Sequence, residues 1–423
     1  MQDCDLIIIH AAELVTCASD GKPKRGTAMR ELGTIMDGAV AIADGRIVGV
    51  GETAAILPAF EADKVINAEG RVVCPGFVDP HTHIVYAGDR LDEFEMKIRG
   101  ADYLEILTGG GGIISTVKET RAASADQLIE QGLERLDKML ACGTTACEIK
   151  TGYGLNAAAE LKMLDVIAEL DKSHPIDIVP TFLAAHAIPP EHKGDPDFYV
   201  DEICQTMLAA AWEWYERSHF FGRVPFFCDV FCESGAYSLD QTRRIIETAE
   251  ELGFGIKAHV DQFTNLGGSR LAIACGASSI DHLDAISDSE VAELADSETI
   301  GVVIPTENFN GGKTHFADAR KMIDAGCAIA LSTDYNPGSA PCPSQPMAMA
   351  IACRYQKLLP SETLNAATIN AAFAIGLGET HGSLAVGKNA DIVILDCGDY
   401  RQLSYEFGGD QVRNVIKNGV VCH

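Results

Sequence analysis

The sequence predicts an α/β protein: a (β/α)8 TIM-like barrel with a small β-sandwich domain formed from both chain termini. Three observations carry that expectation. Apolar strand candidates alternate with amphipathic helix candidates through residues 71–384. Turn-rich β segments flank that stretch on both sides, and histidine and acidic residues recur at the ends of the strand candidates.

From Asp5 to Val73 the chain reads as short strands, DLIIIHAAELV, AVAIADGRIVGVG and KVINAEGRVV, punctuated by Asp-Gly and Glu-Gly pairs that suit hairpin turns. The other end returns to that style with GSLAVGKNADIVIL and VRNVIKNGVV. One β domain is therefore expected from residues 1–70 plus 385–423, and one barrel from 71–384.

Eight strand ends are expected in the barrel, at His83, Lys150, His186, Glu233, Val260, His282, Pro305 and Asp334. Stretches such as ELKMLDVIAELDK and LDQTRRIIETAEELG have the helical period and lie between them. In such a barrel the side chains at the C-terminal strand ends face the active site. The Gly109 to Gly112 run lacks the Gly-Lys-Ser/Thr ending of a phosphate-binding loop and reads as a loop near the barrel top.

Composition narrows the function classes. Hydrophobic residues make up 47% and charged ones 22% of 423 residues, a globular balance with ample material for a large core. The net charge of -28, from 61 acidic and 33 basic residues, repels phosphate backbones and anionic headgroups, so neither nucleic acid nor a membrane surface is an expected partner. The 14 cysteines are scattered mostly singly through apolar segments and read as buried thiols of a reducing compartment. The start, Met1 to Asp5, is acidic, and no apolar run approaches the ~20 residues of a membrane span. A cytoplasmic location is the expectation.

The chemistry concentrates in Asp79-Pro80-His81-Thr82-His83. The i, i+2 spacing of His81 and His83 puts both imidazoles on one face of an extended strand. His259 lies near the end of strand five, His282 ends strand six, and Asp334 ends strand eight within Ser332-Thr333-Asp334. A catalytic metal needs neutral imidazoles, often a carboxylate, and one open position, and His81, His83, His259 and Asp334 meet that need. Two-metal sites of this kind place a bridging lysine on strand four, and Cys228 to Glu233 has none, so one metal is expected. Lys150 is read instead as a buried ion-pair partner or as orienting its loop. Ligand type favours zinc, then iron.

The stretches PGFVDPHTHIVYAGDR, GGGIISTVKETRAAS, EIKTGYGLNAAAELKML, TFLAAHAIPPE, CDVFCESGAYSLDQTRR, HVDQFTNLGG and LSTDYNPGS span nearly the whole chain. Through them the sequence resembles the imidazolonepropionase family of the amidohydrolase superfamily. The resemblance implies metal ligation by His81, His83, His259 and Asp334. It also implies substrate contacts from Arg90, Tyr153, His186, Gln262, His282, Asn336, Gly338 and Ser339. The implied reaction is hydrolytic opening of 4-imidazolone-5-propanoate to N-formimidoyl-L-glutamate, and a homodimer is implied with it.

Those residue types suit that reaction. Water must attack the carbonyl of a cyclic amide; Asp334 can take its proton, and His282 can exchange a proton with the tetrahedral centre. An arginine fork suits the propanoate carboxylate, and Arg90 follows His83 closely enough to supply it. Its alternative is a surface ion pair with Asp89 or Asp92. Tyr153 and His186 are read as donors to ring or tail oxygens.

Two positions depart from the family pattern. Gln262 stands where some members carry glutamate; it sits in the catalytic set as a hydrogen-bonding amide, and the proton work falls to His282 and Asp334. The neutral amide also weighs against a deaminase. In PTENFNGG, residues 305–312, Glu307, Asn308 and Asn310 place polar groups near the pocket mouth. Either that loop faces solvent, or the enzyme opens a related ring such as a hydantoin or another imidazolone-like lactam. A non-catalytic scaffold would be expected to lose ligands, and all four are present.

Overall fold

A computed structural model describes residues 1–100 and 111–423 of the chain. The first strands form the terminal sheet: β1 (Gln2–Leu14), β2 (Ile35–Ala43), β3 (Arg46–Glu52), β4 (Phe60–Asn67) and β5 (Val72–Pro75). β1 pairs antiparallel with β2 along one edge; its other edge takes β4 and then β5, both parallel. Asp44-Gly45 turns β2 into β3 with φ of 50° and 72°, the doubly left-handed geometry that makes Asp-Gly a hairpin signal. Glu69-Gly70 adopts the same conformation, φ 54° and 77°, without making a hairpin. It steps the chain between consecutive parallel partners of β1, so the turn chemistry was legible but its topology was not.

The barrel follows in chain order: β6 (Phe77–Asp79), β7 (Thr144–Lys150), β8 (Asp177–Ala185), β9 (Phe227–Cys232), β10 (Gly255–Val260), β11 (Ser279–His282), β12 (Ile300–Val303) and β13 (Ile329–Leu331). All adjacent pairs are parallel. Past β6 and β13 the ring closes through a parallel bridge between Thr82 and Tyr335 and a Ser332 hydroxyl donating to Asp79 at 2.6 Å. Helices of the outer layer start where their caps dictate. Ser124 with Gln127, and Ser238 with Gln241, form reciprocal capping boxes ahead of Ala125–Ala141 and Leu239–Leu252.

β14 (Ile392–Leu395), β15 (Val412–Lys417) and β16 (Val420–Val421) return to the terminal sheet, β14 pairing antiparallel with β5. Hydrogen bonding makes both ends of the chain one continuous sheet. Leu6 and Ile8 pack with Val40, Ile42, Val73, Ile392 and Ile394, whereas Ile7 packs with Ala39, Ala41 and Ile56. The two clusters follow the period-2 alternation of β1. β5 carries this sheet past the expected boundary at residue 70, and Gly76 leads into the barrel. Among the described residues, no helix is long and apolar enough to cross a membrane.

Two layers fill the lower barrel. Ala146, Val179, Phe227, Ile300, Ala328 and Ala330 form an apolar layer with residues of the helix Ile369–Ala374. Two residues further along the strands, Glu148, Asp229, Lys257 and Asp281 form a charged layer, fully or almost fully buried. The strand-end histidines and Asp334 follow it toward the C-terminal rim.

A second charge cluster, with Lys417, His381 and Asp391 buried and Asp177 half-buried, joins sheet and barrel. Lys417 of β15 donates to Asp177 of β8 at 2.5 Å and to Asp391 at 2.7 Å, and His381 lies 2.7 Å from the same Asp177 oxygen. Lys417→Met leaves these carboxylates without their cation, so a loss of about 3–5 kcal/mol of stability is expected. Urea unfolding measures it; an unchanged midpoint would mean that Lys417 does not hold the units together.

Candidate metal centre and active site

Thr82 sets the geometry of the first two candidate ligands. Its carbonyl accepts from the Lys150 amide at 2.9 Å, its hydroxyl donates to the Glu148 carbonyl at 2.5 Å, and it bridges to Tyr335. These contacts keep residues 81–83 extended beyond β6, so His81 and His83 share one face as the spacing predicts. Their Nε2 atoms lie 3.3 Å apart. Asp334 Oδ1 stands 3.7 Å from His81 Nε2 and 3.5 Å from His83 Nε2. His259 joins them: the His81, His83 and His259 ligand atoms lie within 4.8 Å of one another.

This spacing fits a bound cation. Tetrahedral arms of about 2.0–2.1 Å put neighbouring donor atoms about 3.3 Å apart. His259 Nε2 is buried without a hydrogen-bond partner, the kind of orphaned atom a metal satisfies. Burial, reinforced by the neighbouring positive charges, holds the His81 and His83 imidazoles well below their ordinary pKa, in the neutral form that ligates. Asp334 is held at φ 50°, and the Asn336 amide donates to its carbonyl at 2.7 Å.

Carboxylates in the charged layer orient two of the histidines. His81 Nδ1 lies 2.6 Å from Asp281 Oδ2, and His259 Nδ1 lies 3.0 Å from Asp229 Oδ1. Donation from Nδ1 leaves Nε2 of each ring free to ligate. Lys150, expected as an ion-pair partner, is fully buried, 2.6 Å from Asp229, 2.9 Å from Glu148 and 3.6 Å from Asp281. Burial opposes its charge, but Asp229, Glu148 and Asp281 outweigh it and raise the ammonium above the ordinary lysine range. His81, Glu148 and Asp281 form another grouping with metal-ligand spacing, and both the Lys150 and Lys257 ammoniums lie within 3.0 Å of Glu148 in it.

Around the ligands stand most of the other expected residues. His282 has φ 85° and its follower Leu283 φ 68°, a backbone costing about 1–3 kcal/mol per residue. The His282 ring lies 5.2 Å from His259 and 5.4 Å from His81, with Nδ1 unpartnered and burial keeping it neutral. His186 stacks on His83 at 4.8 Å and donates through Nδ1 to the Gly152 carbonyl at 3.2 Å. Gly152, at φ 106°, is required there: a Cβ would sit 2.8 Å from that imidazole nitrogen. Tyr153 is buried 6.0 Å from the His83 ring, and burial together with the Asp334 charge keeps its phenol protonated.

Arg90 lies beside the strand-eight loop. Its guanidinium is packed so closely on Gly338 that a Cβ at that position would meet Nη1 at 2.1 Å. The Asn336 side-chain oxygen accepts from the Gly338 and Ser339 amides, both at 2.8 Å, folding the loop beneath it. Glu93, rather than Asp89 or Asp92, is its ion-pair partner, bound through Nε at 2.7 Å and Nη2 at 2.6 Å. Gln262 is half-buried in a bend that Glu233 ties down by accepting from the Phe263 amide at 2.9 Å and the Thr264 amide at 3.1 Å.

The solvent-facing alternative for PTENFNGG is corrected by the structure. Residues Pro305–Asn310 form a short helix in which Thr306, Glu307 and Asn308 are buried. Lys313 pairs with Glu307 at 2.8 Å, Asn308 donates to Asp284 and to the His315 carbonyl, and Asn310 donates to the Ser339 carbonyl at 2.8 Å. The polar groups are turned inward to partners that are distant in sequence, while apolar Phe309 is exposed. Of the glycine run, Gly109 and Gly110 lie outside the described residues; Gly112, at φ 82°, precedes the helix Ile113–Ala122 and donates to Glu93 at 2.9 Å.

Several supporting residues escaped the sequence reading. Asp229, Asp281 and Glu148 sit inside apolar strand patterns, where an acid one to three residues before a strand end was the available signal. Glu160 shapes the Gly152 to Leu155 turn by accepting three backbone N–H groups at 2.7–3.0 Å. Nothing in its helical pattern sets it apart from surface glutamates.

Residues 231–422 match the model of the amidohydrolase family. The imidazolonepropionase of Chloroflexus aggregans is 54% identical over 422 residues, covering 100% of this chain and 99% of the relative. That of Herpetosiphon aurantiacus is 50% identical, covering 100% and 98%. Among solved structures, a zinc-bound adenosine deaminase from Xanthomonas campestris matches with a TM-score of 0.74 at 20% identity, covering 99% of this chain and 93% of its own. The guanine deaminase of E. coli gives 0.74 at 17% identity, covering 99% of each. At such identities these two speak for the fold alone.

Proposed function

The chain belongs to the imidazolonepropionase family of the amidohydrolases, and on that premise we propose that His81, His83, His259 and Asp334 hold one metal ion beside a pocket for the ring and its propanoate. The enzyme hydrolyses 4-imidazolone-5-propanoate to N-formimidoyl-L-glutamate, a step of histidine catabolism. One observation carries the proposed site: the convergence of three imidazoles and the Asp334 carboxylate at metal-ligand spacing, with His259 Nε2 orphaned.

A bound metal supplies two effects here, polarising the ring carbonyl and lowering the pKa of water toward neutrality. The rest is the work of side chains. Asp334 is the general base, accepting the proton of the attacking water, and neutral His282 exchanges a proton with the tetrahedral centre as the ring C–N bond breaks. Gln262 hydrogen-bonds the ring as a neutral amide. Tyr153, held protonated, donates a hydrogen bond, and His186 faces the substrate with the ring edge left free by its bond to Gly152. Asn336 and Ser339 shape the rim, and Gly338 lets the arginine approach it.

Arg90 uses Nε and Nη2 on Glu93, so Nη1 remains to bind the propanoate carboxylate. Arg90→Ala is expected to raise KM by about 10- to 100-fold, the value of one charged hydrogen bond, with a smaller change in kcat. A KM within twofold of wild type would remove the clamp. The assay compares freshly generated imidazolonepropanoate with hydantoin-5-propanoate and simple dihydropyrimidines, and turnover of the first alone is expected. Hydrolysis confined to either of the other rings would reassign the substrate.

Zinc is the proposed metal, with iron second by ligand type, and elemental analysis of purified protein distinguishes them. A lysine ammonium in the neighbouring ligand grouping supports a single ion. Exposed Leu91, Phe94 and Ile98 support a homodimer, which light scattering tests. The free state of all 14 cysteines supports a reducing, cytoplasmic setting, and the charge of -28 supports a small-molecule partner over nucleic acid or lipid. The division into a terminal β unit and a barrel is likewise proposed as the domain organisation.

A further inference from the structure

The charged layer below the site contains more than a chance ion pair. Lys150 and Lys257 stand among Glu148, Asp229 and Asp281, with all five side chains fully buried. Asp229 serves two partners: Oδ2 meets Lys150 at 2.6 Å, and both carboxylate oxygens lie 3.0 Å from His259 Nδ1. Asp281 divides its oxygens, Oδ1 accepting from Ser279 at 2.6 Å and Oδ2 meeting His81 Nδ1 at 2.6 Å with Lys150 3.6 Å away. Lys257 is held at the opposite side by the Pro80 carbonyl at 2.8 Å and by Glu148 at 3.0 Å. One ammonium therefore touches both carboxylates that face the ligand histidines.

We propose that Lys150 is a positioning residue, which locks Asp229 and Asp281 so that each accepts the Nδ1–H of a ligand histidine and presents the Nε2 of His259 and His81 to the metal. This rests on the ligand set proposed above. Three buried carboxylates without their cations would repel one another and turn toward any other positive charge, including the metal. With Lys150 between them, Asp229 and Asp281 are neutralised on one side and remain hydrogen-bond acceptors on the other. Outer partners of this kind raise metal affinity by about 10- to 100-fold.

The test measures zinc dissociation constants by chelator competition for Lys150→Met, Asp229→Asn and Asp281→Asn, beside His81→Ala. Each network variant is expected to bind zinc about 10- to 100-fold more weakly than wild type. The cobalt-substituted forms should show altered ligand-field spectra, which a purely structural lysine would not produce. In zinc-loaded wild type carrying 15N-histidine, NMR should find His81 and His259 protonated at Nδ1 and metallated at Nε2. That measurement tests the Asp229 and Asp281 contacts on which the role of Lys150 depends even if Lys150→Met does not fold. Network variants that bind zinc within twofold of wild type, while His81→Ala has lost it, would overturn the positioning role alone, as would an Nδ1-metallated His81 or His259. Full zinc binding by His81→Ala would instead overturn the ligand set beneath it.

Discussion

Asp334→Asn is expected to lower kcat by about 10²- to 10⁴-fold in protein whose metal content has been restored to that of wild type, the range over which a positioned general base acts. The substitution preserves shape, so the Ser332 and Asn336 contacts around the loop can persist. It removes the only property that general-base catalysis needs, an oxygen able to hold a proton. The carboxylate lies within 3.7 Å of the Nε2 atoms of both His81 and His83. Steady-state kinetics at saturating zinc are the measurement. A variant that regains wild-type kcat once metal is replenished would make Asp334 a ligand only and move the base to His282.

Metal removal is expected to have the second large effect. Treatment with a chelator should abolish turnover, and one equivalent of zinc per chain should restore it. The buried imidazoles of His81 and His83 are held neutral, and His259 Nε2 has no hydrogen-bond partner among the described residues. Because the ion binds the folded state alone, zinc at a thousandfold excess over its dissociation constant should add about 4 kcal/mol of stability. Calorimetry on the stripped and loaded protein reads that difference. Equal melting temperatures and equal turnover would contradict the metal site.

Much of this site was legible in the sequence because barrel strands obey a fixed period and end at one rim. His259 and His282 lie at the ends of β10 and β11, and His81, His83 and Asp334 follow β6 and β13 within about four residues, on the rim where the sequence placed them. Their supports were harder to see. His81 and Asp281 are separated by 200 positions and Lys150 and Asp229 by 79, and no local pattern shows that two acids on different strands face one ammonium. Glu307, Asn308 and Asn310 misled for the related reason that polar residues in a short helix look solvent-facing until Lys313, Asp284 and Ser339 are seen to meet them. The Glu69-Gly70 turn adds the same lesson in the backbone: dihedral preference is local, and which strand comes next is not.

Anomalous diffraction at the metal edge, from crystals of the zinc-loaded enzyme, tests the central claim most directly. One peak per chain is expected, about 2.0–2.2 Å from the Nε2 atoms of His81, His83 and His259 and from an Asp334 oxygen. A peak centred on Glu148 and Asp281, or a second ion beside Lys150, would contradict it.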